Sequence, residues 1–197
     1  MGYSIQKRYR IKSTRLQNWD YRWNASYFIT ICTGGRECYF GDIKDKKVKL
    51  SEIGILADKF WSEIPDHFHF VKLDAYVIMP NHVHGIIIID KSHDVEPLHA
   101  TAPLPGNFNN DGKNKNEKMA NISPKQGSLA TIIRSYKSIV TKNAKYINSD
   151  FYWQSRYHDH IIRDQKSLEN IRTYIKENPK KWGKDELNSE KNNNEKD

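Results

Sequence analysis

The chain has 197 residues, a length for one domain with decorations or at most two small ones. Lys and Arg number 32 against 24 Asp and Glu, a formal net charge of +8, so a polyanion is the favoured partner, chiefly nucleic acid and less so an anionic membrane. No apolar run reaches the roughly 20 residues of a membrane helix, the first residues lack the apolar core of a secretory leader, and Cys32 and Cys38 form neither a disulfide framework nor a zinc ribbon, so a reduced cytoplasmic protein is expected.

Residues 1–26 read as a basic arm, in which Lys7, Arg8, Arg10, Lys12, Arg15 and Arg22 stand against the single acid Asp20. A solvated tail is one reading. The interleaved Tyr9, Trp19, Tyr21 and Trp23 suit a second, in which rings stack on unpaired bases while the charges hold phosphates. The folded part is expected from Tyr27. Residues 27–33 read as a buried strand ending at Gly34-Gly35. Residues 37–40 and 48–50 are expected to pair as a ribbon around Asp45, Lys46 and Lys47. Ser51 reads as the cap of a helix carrying Ile53, Leu56, Ala57, Phe60, Trp61 and Ile64, with Pro65 at its exit.

Residues 71–79 read as a second strand and residues 82–89 as a third, with Pro80-Asn81 between them. From 90 to 127 the composition turns to Asn, Lys, Pro and Gly without any period, as expected of a flexible insertion. Ser128 opens an amphipathic helix lined by Leu129, Ile132, Ile133, Tyr136, Ile139 and Val140. A fourth strand is expected over 157–162. A last helix, capped by Asp164 or Ser167, runs from Leu168 to about Asn178, stopped by Pro179. The tail, 183–197, is expected to be disordered. Leaving the ribbon aside, the order is βαββαβ plus a helix. That is an α+β, ferredoxin-like fold: an antiparallel sheet, helices on one face, and an added C-terminal helix.

His82 and His84 are two apart in a strand and so project from one face, well placed to share a divalent metal. Val83 faces the other way, toward the core. Surface or hydrogen-bonded histidines are the plainer reading. Ile86 stands where a nucleotide-hydrolase histidine triad would need its third His. Tyr174 and Asn178 share a helix face, one turn apart. A tyrosine hydroxyl can be a nucleophile and an amide oxygen can ligate a hard metal, although Tyr174 also suits a core position beside Ile171 and Ile175. His158 and His160 form another such pair, read as DNA-contacting or structural rather than as a second metal site. Arg156, with Trp153 and Gln154, is a candidate lining of a nucleic-acid groove.

Residues 73–89 (LDAYVIMPNHVHGIIII) resemble the His-hydrophobic-His motif of single-tyrosine DNA transposases, and more narrowly that of the REP-associated tyrosine transposases. Residues 152–164 (YWQSRYHDHIIRD), 171–179 (IRTYIKENP) and 27–41 (YFITICTGGRECYFG) are similar to the same family. The resemblance covers roughly residues 8–182 outside the insertion, and three motifs in order make it specific. It implies a catalytic domain over 27–182. It implies His82 and His84 as metal ligands, Tyr174 as nucleophile and Asn178 as third ligand, where the wider group often has Gln. It implies Mg²⁺ or Mn²⁺, a 5′-phosphotyrosine intermediate, and single-stranded or palindromic hairpin DNA as substrate. Lys7, Arg8, Arg10, Arg15, Arg22, Arg134, Lys137, Arg156 and His160 are then the candidate DNA contacts. The alternative is a hairpin-DNA-binding protein without cleavage. A metallophosphoesterase using water ranks last, because no carboxylate is evident near His82. Monomer and homodimer stay open. The expected place of action is the bacterial cytoplasm, at the nucleoid.

Overall fold

The computed structural model describes residues 16, 19–92 and 125–188. Its elements in chain order are β1 (Ala25–Cys32), β2 (Gly41–Lys44), β3 (Lys47–Leu50), α1 (Glu52–Ser62), α2 (Ile64–His67), β4 (Val71–Met79), β5 (His82–Ile89), α3 (Leu129–Ile147), β6 (His158–Ile162) and α4 (Gln165–Lys181). Four strands form one sheet in the order β4-β5-β1-β6, each neighbouring pair antiparallel. This is the expected α+β, ferredoxin-like arrangement. Among the described residues, no helix is long and apolar enough to cross a membrane.

The pleat divides the central strands between two environments. Tyr27, Ile29 and Ile31 of β1 and Val83, Ile87 and Ile89 of β5 face a core closed by Ile53, Ala57 and Trp61 of α1 and by Leu129, Ile132, Ile133, Tyr136, Val140 and Ala144 of α3. Phe28 of β1 and Ile86 and Ile88 of β5 face the other way, against Leu168, Ile171 and Ile175 of α4. The sheet is therefore covered on both sides, and α4 is the helix that packs on the side carrying the histidines. The Ser51 and Ser128 side chains cap α1 and α3 through the Gly54 and Thr131 amides. Asp164, not Ser167, caps α4 by accepting from the Ser167 amide.

Several boundaries differ from the sequence reading. The ribbon pairs 41–44 with 47–50, not 37–40 with 48–50. Phe40 is drawn into the core, its amide donating to the Pro80 carbonyl. The hairpin turns at Asp45 and Lys46, both at positive φ (50° and 61°), the twist that a two-residue hairpin requires. Ile139 is 37% exposed, and Ala144 joins the core instead. Pro179 does not stop α4, which runs on to Lys181. Its missing amide forfeits one bond in the last turn, where burial of Asn178 and Trp182 holds the helix in place. The fold begins before Tyr27: the Trp19 indole donates to the Tyr27 hydroxyl at 3.1 Å, and the Tyr21 ring stacks on Tyr27 with centroids 5.8 Å apart. Residues 183–188, the start of the expected tail, are among the described residues, flanked by the buried Trp182 and holding the half-buried Leu187. The rest of the insertion, 93–124, and the tail from 189 lie outside the described residues.

Gly85 shows how closely β5 meets α1. A Cβ there would lie 2.3 Å from Cζ2 of the fully buried Trp61. Gly85→Ala is expected to destabilise the fold by about 1–3 kcal/mol through overpacking, read as a lower urea midpoint at unchanged slope.

Candidate metal and tyrosine site

The site starts with β5. Its pairing with β1 sets His84 opposite Thr30 and His82 opposite Cys32, so both rings emerge on the α4 side. Their centroids are 4.4 Å apart, and the two are almost completely buried. His84 Nδ1 lies 2.8 Å from Thr30 Oγ1, and its ring stacks on Phe28 at 5.4 Å. His82 Nδ1 lies 2.8 Å from Asn81 Oδ1. Burial, reinforced by the neighbouring charge of His84, holds His82 well below the usual histidine range. Burial, with the His158 charge behind it, lowers His84 to about 3. Both rings are therefore neutral at physiological pH, the form that ligates metals.

Helix α4 supplies the next groups. Arg172 forks onto Asp74 of β4, Nε to Oδ1 at 2.8 Å and Nη2 to Oδ2 at 2.5 Å. Leu168, Ile171 and Ile175 seat the helix on the sheet. Tyr174 stands at the rim, 43% exposed rather than in the core, with its hydroxyl 3.2 Å from His84 Nε2 and its ring edge-on to Phe28. Burial and the Asp185 charge raise its pKa, while a hydrogen bond from the Asn178 side chain lowers it. Asn178, one turn on, is buried, and its Oδ1 has no hydrogen-bond partner.

The group that sequence reasoning missed is Asp185. The turn after α4 carries it back over β5, and its Oδ2 comes within 4.0 Å of His82 Nε2. Neither atom has a hydrogen-bond partner. Ligand atoms of His82, His84 and Asp185 lie within 4.8 Å of one another. The expectation that no carboxylate lies near His82 is thereby corrected. The signal available in the sequence was Trp182 and Leu187 bracketing the acid. Unpartnered buried nitrogen and oxygen atoms cost about 1–3 kcal/mol each. His82 Nε2 and Asp185 Oδ2 lie 4.0 Å apart, and Asn178 Oδ1, one turn from Tyr174, is a third such atom; imidazole nitrogen, carboxylate oxygen and amide oxygen are all competent metal ligands. Such a set fits a divalent cation.

A cleft of about 860 Å³ opens onto these groups, lined among others by Phe28, Arg156, His158, Tyr174, Lys181 and Lys184. Arg156, a candidate DNA contact in the sequence, lines this cleft. His160 shares the sheet face but lines a separate groove of about 370 Å³, so His158 is the member of that pair facing the cleft. Lys137 is half-buried, donating to the Gln154 carbonyl at 2.5 Å beside the Trp153 ring, a structural strut as much as a free cation. Arg134 is exposed. Arg22 forks onto Asp20. Lys7, Arg8, Arg10 and Arg15 lie outside the described residues.

The comparisons with known proteins now have a geometry to meet. No protein-family model matches the chain. A protein of Haemophilus influenzae, itself uncharacterised, is 37% identical over 181 residues, spanning 89% of this chain and 92% of that one. The chain belongs to the same family as that protein. Among solved structures it shares the fold of a REP-associated tyrosine transposase bound to a REP hairpin, with a TM-score of 0.55 and 16% identity, covering 88% of this chain and 75% of that one. A candidate transposase of Deinococcus radiodurans aligns over 84% of this chain and 96% of its own, with 12% identity and a TM-score of 0.39.

The Arg172–Asp74 fork makes a pH prediction. The guanidinium hydrogen bond is the main cause that lowers the Asp74 pKa below its usual 3.8. The stability it adds is therefore present above pH 3.8 and is lost as the pH falls through the lower, folded-state value. The melting-temperature gap between the wild type and Asp74→Asn should be full at neutral pH and close progressively below about pH 4.

Proposed function

We propose that the protein is a metal-dependent single-stranded DNA endonuclease and strand transferase that acts on hairpin DNA through a 5′-phosphotyrosine, as a transposase does. The observation that carries this reading is the 3.2 Å approach of the Tyr174 hydroxyl to His84 Nε2, at a cluster of buried donors otherwise without partners. The shared fold with a transposase bound to a REP hairpin supports the choice of substrate.

In this reading His82, His84, Asn178 and Asp185 hold the ion, Mn²⁺ or Mg²⁺. Two imidazoles favour Mn²⁺ by softness. An ion held there would supply positive charge toward an oxygen of the scissile phosphate. Tyr174 has the freedom to serve as nucleophile, because its ring is half-exposed at the mouth of the cleft. Its oxygen attacks phosphorus, the bond to the 3′ oxygen breaks, and the 5′ phosphate stays on the phenol while a 3′-hydroxyl leaves. The joined phosphodiester is conserved in energy, so a second 3′-hydroxyl can reverse the step without a nucleotide cofactor. The raised Tyr174 pKa keeps the phenol protonated until substrate is present, and part of that rise comes from Asp185. Arg156, Lys181 and Lys184 border the same cleft as backbone contacts. The catalytic domain expected over 27–182 then reaches on to Asp185, and the basic arm is a second grip on DNA, in the bacterial cytoplasm.

A second reading gains from Asp185: a carboxylate beside two imidazoles also suits a metallophosphoesterase that uses water. One experiment separates them. A REP-type hairpin oligonucleotide labelled at its 3′ end, incubated with Mn²⁺, should yield a labelled band that survives SDS. The adduct should vanish with EDTA and with Tyr174→Phe. It should fall at least about 100-fold with His84→Ala, as loss of several kcal/mol of charge stabilisation implies. Cleavage without adduct would favour the hydrolase, and tight binding without cleavage would favour a non-catalytic hairpin-binding protein. An adduct that persists in Tyr174→Phe would remove Tyr174 from the role.

A further inference from the structure

Asn81 is fully buried at the entry to β5 and makes three directed contacts. Its Nδ2 donates to the carbonyl of Arg36 at 3.1 Å and to the carbonyl of Leu187 at 2.7 Å. Two carbonyl acceptors identify that end of the side chain as the NH₂ group, so the end facing His82 is the oxygen. Asn81 Oδ1 lies 2.8 Å from His82 Nδ1. An amide oxygen only accepts, so Nδ1 must carry the proton. In a neutral imidazole the lone pair then sits on Nε2, the atom that has no partner and lies 4.0 Å from Asp185 Oδ2.

We infer that Asn81 is a positioning residue that selects the His82 tautomer, so that the Nε2 lone pair points at the Asp185 carboxylate and is ready to take a divalent cation. The inference rests on the proposed cation site for its use, though not for its geometry. The same side chain also ties the segment bearing Asp185 to β5. Leu187 hangs on Asn81, and the neighbouring Glu186 carbonyl accepts from Arg36 Nη1 at 3.0 Å. Arg36 can present its own carbonyl to Asn81 because it and Gly35 both turn through positive φ (60° and 63°). Asn81 is held in turn by its backbone, whose carbonyl accepts from the Thr33 amide and hydroxyl, each at 2.9 Å. One amide thus orients a histidine and anchors a carboxylate on the far side of the same gap. Loss of such an outer partner typically weakens metal affinity about 10- to 100-fold.

The test is ¹⁵N NMR of the imidazole nitrogens in the metal-free protein, paired with Mn²⁺ titration. In the wild type, His82 should show a protonated Nδ1 and a bare Nε2. Asn81→Ala should release the tautomer and weaken Mn²⁺ binding about 10- to 100-fold. Asn81→Asp keeps an acceptor for Nδ1, so it should retain the tautomer while losing the bonds to Arg36 and Leu187. A wild-type His82 protonated on Nε2 would overturn the inference, and that spectrum decides even where Asn81→Ala does not fold. An unchanged tautomer and affinity in a folded Asn81→Ala would overturn it as well. Failure of the wild type to bind Mn²⁺, with the Nδ1–H tautomer intact, would instead sink the cation site and leave the Asn81 assignment standing.

Discussion

Two neutral imidazoles buried side by side on a central strand impose the constraint that the rest of the site answers. A ring taken out of water must place both nitrogens. Nδ1 of His84 is answered by Thr30 and Nδ1 of His82 by Asn81, each at 2.8 Å. The Nε2 atoms point the other way, and only His84 finds a partner there, in the Tyr174 hydroxyl. Among the described residues, His82 Nε2, Asn178 Oδ1 and Asp185 Oδ2 are buried without a hydrogen-bond partner, which gains an isolated folding domain nothing. Native stability is only about 5–15 kcal/mol, so an unpaired cluster of this size is a substantial charge against it. Such a cost is tolerable where a ligand answers it, and this donor set suits a cation.

The pleat explains how one strand serves both stability and chemistry. Val83 and Ile87 pack into the larger core, while His82, His84 and Ile86 look toward α4. The smaller cluster beneath α4 consists of only three buried residues, Ile86, Ile162 and Ile175, with partly buried neighbours. A helix seated on so little apolar surface needs a second fastening, and the Arg172–Asp74 fork provides it two residues from Tyr174. The arrangement leaves the phenol half-exposed at the cleft while fixing the backbone that carries it. The nucleophile role proposed for Tyr174 needs a reachable hydroxyl, and its place at the rim of the cleft meets that need better than one inside the main core would.

Much of this was legible in the residues. Strand periodicity set β4 and β5 at their observed limits, because their apolar runs end at Pro80-Asn81 and at a charged residue. The His82–His84 pair follows from the two-residue repeat alone, and Tyr174 with Asn178 from the helical one. What was not legible came from contacts between segments distant in sequence. Pro179 reads locally as a stop, but burial of Asn178 and Trp182 carries the helix past it. Asp185 sits in a stretch whose composition is that of a tail, and only Trp182 and Leu187 mark it as anchored. Lys137 reads as a surface cation on an amphipathic helix, yet the Gln154 carbonyl and the Trp153 ring draw it inward. His158 and His160 are equivalent by periodicity; the position of the cleft along β6 distinguishes them.

The C-terminal segment gives the site an electrostatic asymmetry with consequences for any anionic substrate. Lys181 and Lys184 border the cleft, while Asp185 and Glu186 lie beside them on the same few residues. An anion entering this cleft meets attraction from the lysines and repulsion from Asp185 beside Tyr174. The same carboxylate raises the Tyr174 pKa, which works against phenolate formation. Under the proposed reading, a divalent ion held by the carboxylate would offset that negative charge and would favour both an approaching phosphate and a phenolate. Asp185 on its own is thus unfavourable to an anion and would be favourable once a cation answered it, which is the charge argument behind the proposed dependence on metal.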